Sequence, residues 1–194
     1  MDCPSSDLRR VLKFRCTGCG NCCRGTCVVV TDADVRRIAR GTGRVPREFL
    51  RFVAADDVAL GARSGLWANL GRRRAVMALR WRRRRCVFLG ADERCTIYEH
   101  RPTGCRQFPF EVTLEEDGAI ADVSLSRIVE CPHAWDGRVA ERALTRVVGA
   151  SERENAAYVE RVRAWNRARV GRRGAAAFLR FLGLGEAREA GQAR

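Results

Sequence analysis

Cysteine is the residue of this chain with the most chemistry to offer, and its ten copies are crowded rather than spread. They stand at Cys3, Cys16, Cys19, Cys22, Cys23, Cys27, Cys86, Cys95, Cys105 and Cys131. Five share the segment FRCTGCGNCCRGTC at 14–27, three share CVFLGADERCTIYEHRPTGCRQFPF at 86–110, and Cys131 follows. An even count invites a disulfide framework. Against it, the adjacent Cys22 and Cys23 have α-carbons about 3.8 Å apart, closer than ordinary disulfides allow. A stapled chain would also distribute its cysteines. Inert burial accounts for one or two thiols, such as Cys3 and Cys27. It does not account for thiols interleaved with the turn formers Gly18, Gly20, Asn21 and Gly25. The pattern C-x2-C-x2-C-C suits a metal, because a two-residue gap lets a tight turn aim two thiolates at one ion while turn amides donate to sulfur.

Soft thiolates select zinc, copper(I) or iron–sulfur clusters over magnesium and calcium. Cys16, Cys19 and Cys22 reproduce the start of the bacterial ferredoxin run. The match fails at the fourth ligand, since Cys27 follows after four residues and lacks a proline behind it. Cys-Pro does occur later, at Cys131-Pro132. A zinc ribbon needs a second C-x2-C knuckle, and the later gaps here are eight, nine and twenty-five residues. The crowding exceeds what one zinc ion requires, which favours iron, held as an iron–sulfur cluster, over zinc.

Four pieces, FRCTGCGNCCRG at 14–25, CVFL from Cys86, CTIYEHRP from Cys95 and CRQFPF from Cys105, together resemble the YkgJ-type cysteine-cluster family, the CxxCxxCC zinc- or iron-chelating domain. The resemblance runs over 14–131 and implies a metal site built from Cys16, Cys19, Cys22, Cys23, Cys86, Cys95, Cys105 and Cys131. It leaves Cys3 and Cys27 outside. The cluster is also distantly similar to that of the flagellin lysine-N-methylases, which keeps a protein-lysine methyltransferase-like enzyme open as an alternative. Tyr98, Arg101, Pro102, Phe108, Pro109 and Phe110 belong to the same signature. Phe108 and Phe110 are candidates to shield the metal from water, with core packing as the alternative. His100 reads as a surface residue and His133 as a minor candidate ligand.

The 194 residues carry a formal charge of +14, and Lys13 is the lone lysine among the 37 basic residues. That imbalance, beside plentiful Ala and Gly, reads as codon bias more than as a nucleic-acid surface. Arg15, Arg24, Arg101 and Arg106 adjoin the cysteine motifs, where guanidinium groups favour thiolates. The arginine runs at 72–74 and 82–85 lack the interleaved aromatics that stack on bases. No apolar run approaches the ~20 residues of a membrane helix, and the N-terminal residues do not resemble a signal peptide. A cytoplasmic protein is expected, with a protein as the candidate partner, nucleic acid disfavoured and no membrane.

These thiols need a scaffold, and the pattern predicts an α+β domain, small and metal-centred, with short strands and a helical C-terminal part. The cysteine-cluster domain spans 14–131, and a helical region at 138–183 packs on it within the same domain. Thr31 and Asp34 form a capping box opening a helix through Arg40, closed by Gly41 and Gly43. Pro46 starts a second helix through Ala54. Strands are predicted at 75–81 and 120–125, with 82–85 as the turn feeding Cys86. Helical spacing resumes at Arg138. Ser151 and Glu154 read as a further capping box, opening a helix with Tyr158, Val162 and Trp165 on its core face. Phe178, Leu179, Phe181 and Leu182 mark the last amphipathic turns. A phosphate loop, H-E-x-x-H, G-x-S-x-G and the C-x3-C-x2-C of radical chemistry are all absent. The reading is a metal-binding protein with a redox, metal-handling or accessory role; a zinc-stabilised nucleic-acid binder is the remaining alternative.

Overall fold

The computed structural model describes residues 5–54, 58, 64–168 and 174–185. Its elements run α1 (Ser5–Val11), β1 (Arg15–Cys16), a 3₁₀ turn (Asn21–Cys23), α2 (Asp32–Thr42), α3 (Pro46–Phe49), β2 (Leu50–Ala54) and β3 (Ala68–Leu70). They continue through β4 (Arg73–Leu79), β5 (Trp81–Arg82), β6 (Arg85–Cys86), a 3₁₀ turn (Tyr98–His100), α4 (Thr103–Gln107) and β7 (Phe110–Leu114). β8 (Ile120–Leu125), β9 (His133–Ala134), α5 (Glu141–Arg167) and α6 (Ala175–Phe181) complete them. The fold is α+β with a helical C-terminal part, as the sequence pattern predicts.

β4 is the spine of the larger sheet, because Ala75, Val76, Met77, Ala78 and Leu79 are all buried. β2 covers one edge in antiparallel register, Leu50 opposite Leu79 through Ala54 opposite Ala75. The other edge is shared. β3 takes its first half, with Ala68 opposite Ala75, and residues 28–30 take the rest, Val30 N–H donating to Met77 O and Leu79 N–H to Val28 O, both at 2.9 Å. The end of β4 thus lies between the exit of the first cysteine segment and the entrance to the second.

Three boundaries differ from the sequence reading. The helix opened by Pro46 stops at Phe49, and 50–54 is strand; Leu50, Phe52 and Val53 gain a buried antiparallel partner in β4, which outweighs local helical preference. The strand expected at 75–81 breaks at Arg80, whose Nη2 donates to the Arg47 and Leu50 carbonyls at 3.0 Å. Trp81 then starts a separate hairpin whose tip, Arg83 and Arg84, adopts positive φ angles of 50° and 63°. Finally, Ser151 caps nothing. It lies buried inside the continuous 27-residue α5, while Glu154 pairs with Arg37 on α2. A cap needs an extended residue, and the helix already running from Glu141 fixes Ser151 as helical. The Thr31–Asp34 capping box and the left-handed Gly43 closure of α2 form as the motif predicts. β8 also forms, and pairs with β7 in a hairpin that the pattern did not reveal.

The main core joins Ile38, Phe49, Met77 and Phe88 to Tyr158, Val162 and Trp165 of α5 and to Phe178 of α6. Trp165 Nε1 donates to Asn69 O and Asn166 Nδ2 to Trp67 O, both at 2.8 Å, tying α5 to the sheet edge. A smaller cluster of Val11, Val123, Leu144 and Val148 joins α1 and the start of α5 to β8. Among the described residues, no helix is long and apolar enough to cross a membrane.

Asp32 is fully buried and holds Arg36 at 2.5 Å and Arg161 at 2.7 Å. Beside this cluster the Tyr158 hydroxyl is buried without a hydrogen-bond partner among the described residues, and burial, with the charge of Asp32, raises its pKa well above the usual phenol value. Replacing Tyr158 by Phe removes an unpaired polar atom at constant shape and is expected to leave stability unchanged or raise it by about 1 kcal/mol. Phe178→Ala empties the α5–α6 contact and is expected to cost about 3–5 kcal/mol. Urea denaturation of both variants checks the pair.

Candidate metal centre

Four local devices bring the cysteines together. In the first segment, Gly18 and Gly20 take left-handed φ angles of 72° and 69°, turning the chain so that Gly18 N–H donates to Cys16 Sγ at 3.4 Å. In the second, the β5–β6 hairpin delivers Cys86, and Cys95 returns opposite Leu89 in an antiparallel bridge. Thr96 N–H and Oγ1 both donate to Phe88 O, at 2.9 and 3.0 Å. The Phe88 and Ile97 amides, two residues beyond Cys86 and Cys95, pull the pKa of those thiols downward, standing in the same sequence relation as Gly18 to Cys16.

The third device is buried Asp34. Its carboxylate accepts from Thr31 N–H at 3.0 Å and from Arg37 at 2.6 Å, and it reaches across to Thr103 N–H at 2.8 Å. Thr103 opens α4, which carries Cys105. The fourth is the β1–β9 pair, which sets Cys16 opposite His133. Thr17 Oγ1 donates to Pro132 O at 2.7 Å and Asn21 Nδ2 to Glu130 O at 3.0 Å, holding Cys131 beside the first segment. Gly25 makes the same approach possible, because a Cβ there would fall 2.1 Å from Val129 Cγ1.

The sulfurs sense one another. Cys22, Cys23 and Cys86 are neighbours that shift one another's ionisation, and Cys86 is the most buried of them. Donation to Cys23, then burial, pushes Cys22 far above the ordinary thiol range. For Cys23 the hydrogen bond accepted from Cys22 pulls downward, but donation to Cys86, burial and neighbouring thiolates raise it to about 12. Cys86, as the acceptor from Cys23 and from Phe88 N–H, is lowered despite its burial. Burial, then Cys23, Cys22 and Cys95, raises Cys105 strongly; burial raises Cys95, and burial with Cys19, Cys16 and Cys22 raises Cys131 to about 11. Arg101 opposes these shifts at Cys22, Cys95 and Cys105. It is held over the Tyr98 ring at 3.6 Å and donates to Tyr98 O and Cys105 O.

A set of thiols that resist ionising together is one that a bound cation would relieve. The donors are soft sulfur, backed by amide N–H groups, which fits zinc or iron rather than magnesium or calcium. Among the described residues, no three Cys, His, Asp or Glu side chains converge tightly enough to hold an ion as they stand. The fold gathers the thiols into one region without closing them.

The other candidates sort clearly. Cys3 lies outside the described residues. Cys27 packs against the separate apolar cluster of Val53 and Trp67, and Arg51 donates to its sulfur at 3.5 Å, away from the other thiols. His133 Nδ1 lies 2.6 Å from Cys131 O, and its ring packs on Phe14 and Trp135. His100 is half-buried rather than on the surface, its ring filling the space over Gly41 where a Cβ would lie 2.2 Å away. Phe110 makes an edge contact with Phe14 at 5.1 Å, which is core packing. Arg15 and Arg24 are engaged with Asp136 and Glu93, and Arg106 is exposed. Asp34 was visible in sequence only as a cap; its reach to Thr103, 69 residues away, carries no local signal.

A family model described as "CxxCxxCC: Putative zinc- or iron-chelating domain" matches residues 15–126. No curated protein and no solved structure matches the chain.

Asp34→Ala leaves Arg37 short of one partner and frees the start of α4, and is expected to cost about 3 kcal/mol or more. Asp34→Asn keeps part of the Thr103 bond and should fall between the two. Chemical denaturation ranks the three proteins, and equal stability of all three would remove Asp34 from the scaffold.

Proposed function

Because the chain belongs to the CxxCxxCC family of zinc- or iron-chelating domains, we propose that it is a metal–thiolate protein whose ligands are Cys16, Cys19, Cys22, Cys23, Cys86, Cys95, Cys105 and Cys131. The observation that carries this reading is that contacts between distant segments gather the cysteines: the β1–β9 pair with the Thr17–Pro132 and Asn21–Glu130 hydrogen bonds sets Cys131 beside the first segment, and Asp34 anchors the helix of Cys105. Folding that crowds reluctant thiols has a purpose if a cation is to be held among them. Eight sulfurs exceed one zinc site, and this favours iron held with inorganic sulfide. When bound, the metal supplies positive charge to the thiolates and, if iron, a one-electron couple. The residues of the chain do the rest: the Gly18 amide holds the Cys16 sulfur, the Phe88 and Ile97 amides favour ionised Cys86 and Cys95, and Arg101 lowers the net negative charge of the site.

The role is redox, metal handling or support of another enzyme. Five arginines, Arg15, Arg24, Arg36, Arg37 and Arg161, pair with carboxylates of the chain; a nucleic-acid partner rests on the remaining basic charge alone.

Anaerobic purification followed by iron, zinc and acid-labile sulfide analysis tests the reading. Iron with sulfide and a broad visible absorption is the expected result. Zinc alone would keep chelation and overturn iron, and neither metal would overturn the function.

A further inference from the structure

The arginines of the β5–β6 hairpin differ from those engaged inside the chain. Arg82, Arg83 and Arg84 are exposed, and their guanidinium groups make no hydrogen bond or ion pair among the described residues. Arg85 is half-buried and meets Glu93 only at 3.8 Å, a carboxylate that Arg24 holds more closely. Arg82, Arg83 and Arg85, with Cys86, Val87 and Leu89, line a cleft of about 440 Å³. We propose that this cleft binds a small oxyanion carrying two or more negative charges, a phosphate or a polycarboxylate, held by Arg82, Arg83 and Arg85.

Without an anion the hairpin works against itself. Arg82 and Arg85 stand directly opposite each other in the antiparallel register, and like charges so placed repel. Between them, Arg83 and Arg84 take the left-handed φ angles of 50° and 63°, a conformation that L side chains adopt at a cost and that a tight hairpin ordinarily gives to Asn-Gly. The neighbouring β3–β4 turn, also rich in arginine, gives its left-handed position to Gly71, with φ 66°. A bias toward arginine explains how many there are; it does not explain arginine at both positions where glycine or asparagine would relax the turn. Strain of this kind persists where the surroundings hold it, and it aims side chains at a ligand. Here the base of the hairpin is fixed: Val87 N–H donates to Arg80 O and Leu89 N–H to Cys86 O, both at 3.0 Å, and Arg80 itself is tied to the Arg47 and Leu50 carbonyls.

The size and lining of the cleft define its occupant. Its volume falls within the roughly 300–1,000 Å³ of small-molecule sites. Guanidinium forks match carboxylate and phosphate oxygens in pairs, whereas Val87 and Leu89 supply apolar contact but no further charge. A single negative charge would leave most of the arginine charge uncompensated, so a multivalent anion is the better fit. The site needs no metal, and it is read independently of the metal–thiolate reading. Because Cys86 belongs both to the cleft lining and to the main core, an anion seated there lies beside one of the proposed ligands.

The test is calorimetric titration of the full chain, purified anaerobically, with inorganic phosphate, with propane-1,2,3-tricarboxylate and with acetate at matched ionic strength. One equivalent of phosphate or of the tricarboxylate is expected to bind, and the stronger of the two identifies the source of the charge. Acetate should bind far more weakly. Arg82→Gln and Arg83→Gly should each weaken binding about tenfold, the loss of one charge-assisted contact. Arg72→Gln, which removes the same charge from the β3–β4 turn, should leave binding unchanged. Arg83→Gly should also hold or raise the melting temperature while affinity falls, since glycine accepts the left-handed conformation; a merely structural arginine would not separate the two. Circular dichroism confirms that each variant is folded, and the native preference over acetate decides if one is not. Binding no stronger than acetate, equal weakening by Arg72→Gln, or capture of polyglutamate with neither small anion would overturn the proposal.

Discussion

Thiolates brought close together repel, and the whole molecule is organised around that repulsion. Several of its sulfurs are harder to ionise than a free cysteine, because each is buried or faces another. In the bare chain such sulfurs stay neutral thiols and do not bind one another tightly, so other groups hold the segments in place. The holding is done by groups that are not sulfur: a sheet whose central strand abuts both cysteine segments, a buried carboxylate that fixes the helix of Cys105, and a two-stranded clip that brings Cys131 home. The scaffold determines where the sulfurs are. A metal would determine how closely they meet.

The hydrogen bonds to sulfur show how sequence and tertiary structure divide this labour. At Cys16 the donor follows from the local run of glycines, which the sequence displays openly. At Cys86 and Cys95 the i+2 amides likewise favour the ionised sulfur, in ordinary-looking stretches, Cys-Val-Phe and Cys-Thr-Ile, where a hairpin rather than glycine turns the chain. One chemical device is reached by two structural routes, and only one of them has a motif.

That contrast explains what was legible in advance. The cysteine pattern, the Thr31–Asp34 cap, the β8 segment, the arginine turn and the buried stripe on α5 are written in spacing and residue type, and they appear in the structure. The identity of 50–54 as strand was not legible, since it depends on a partner more than twenty residues away. Nor was the continuity of α5 through Ser151, where a good local cap signal yields to a helix already under way.

The uninterrupted α5 has a consequence for how the protein comes apart. At 27 residues it extends about 40 Å. Its first turns, through Leu144 and Val148, complete the small cluster with α1 and β8, and its last, through Tyr158, Val162 and Trp165, complete the main core. A rod shared by two hydrophobic bodies acts as a splint. Neither body can melt without stripping apolar surface from the same helix, so the β7–β8 hairpin and the cysteine scaffold are bound into one cooperative unit instead of behaving as separate lobes.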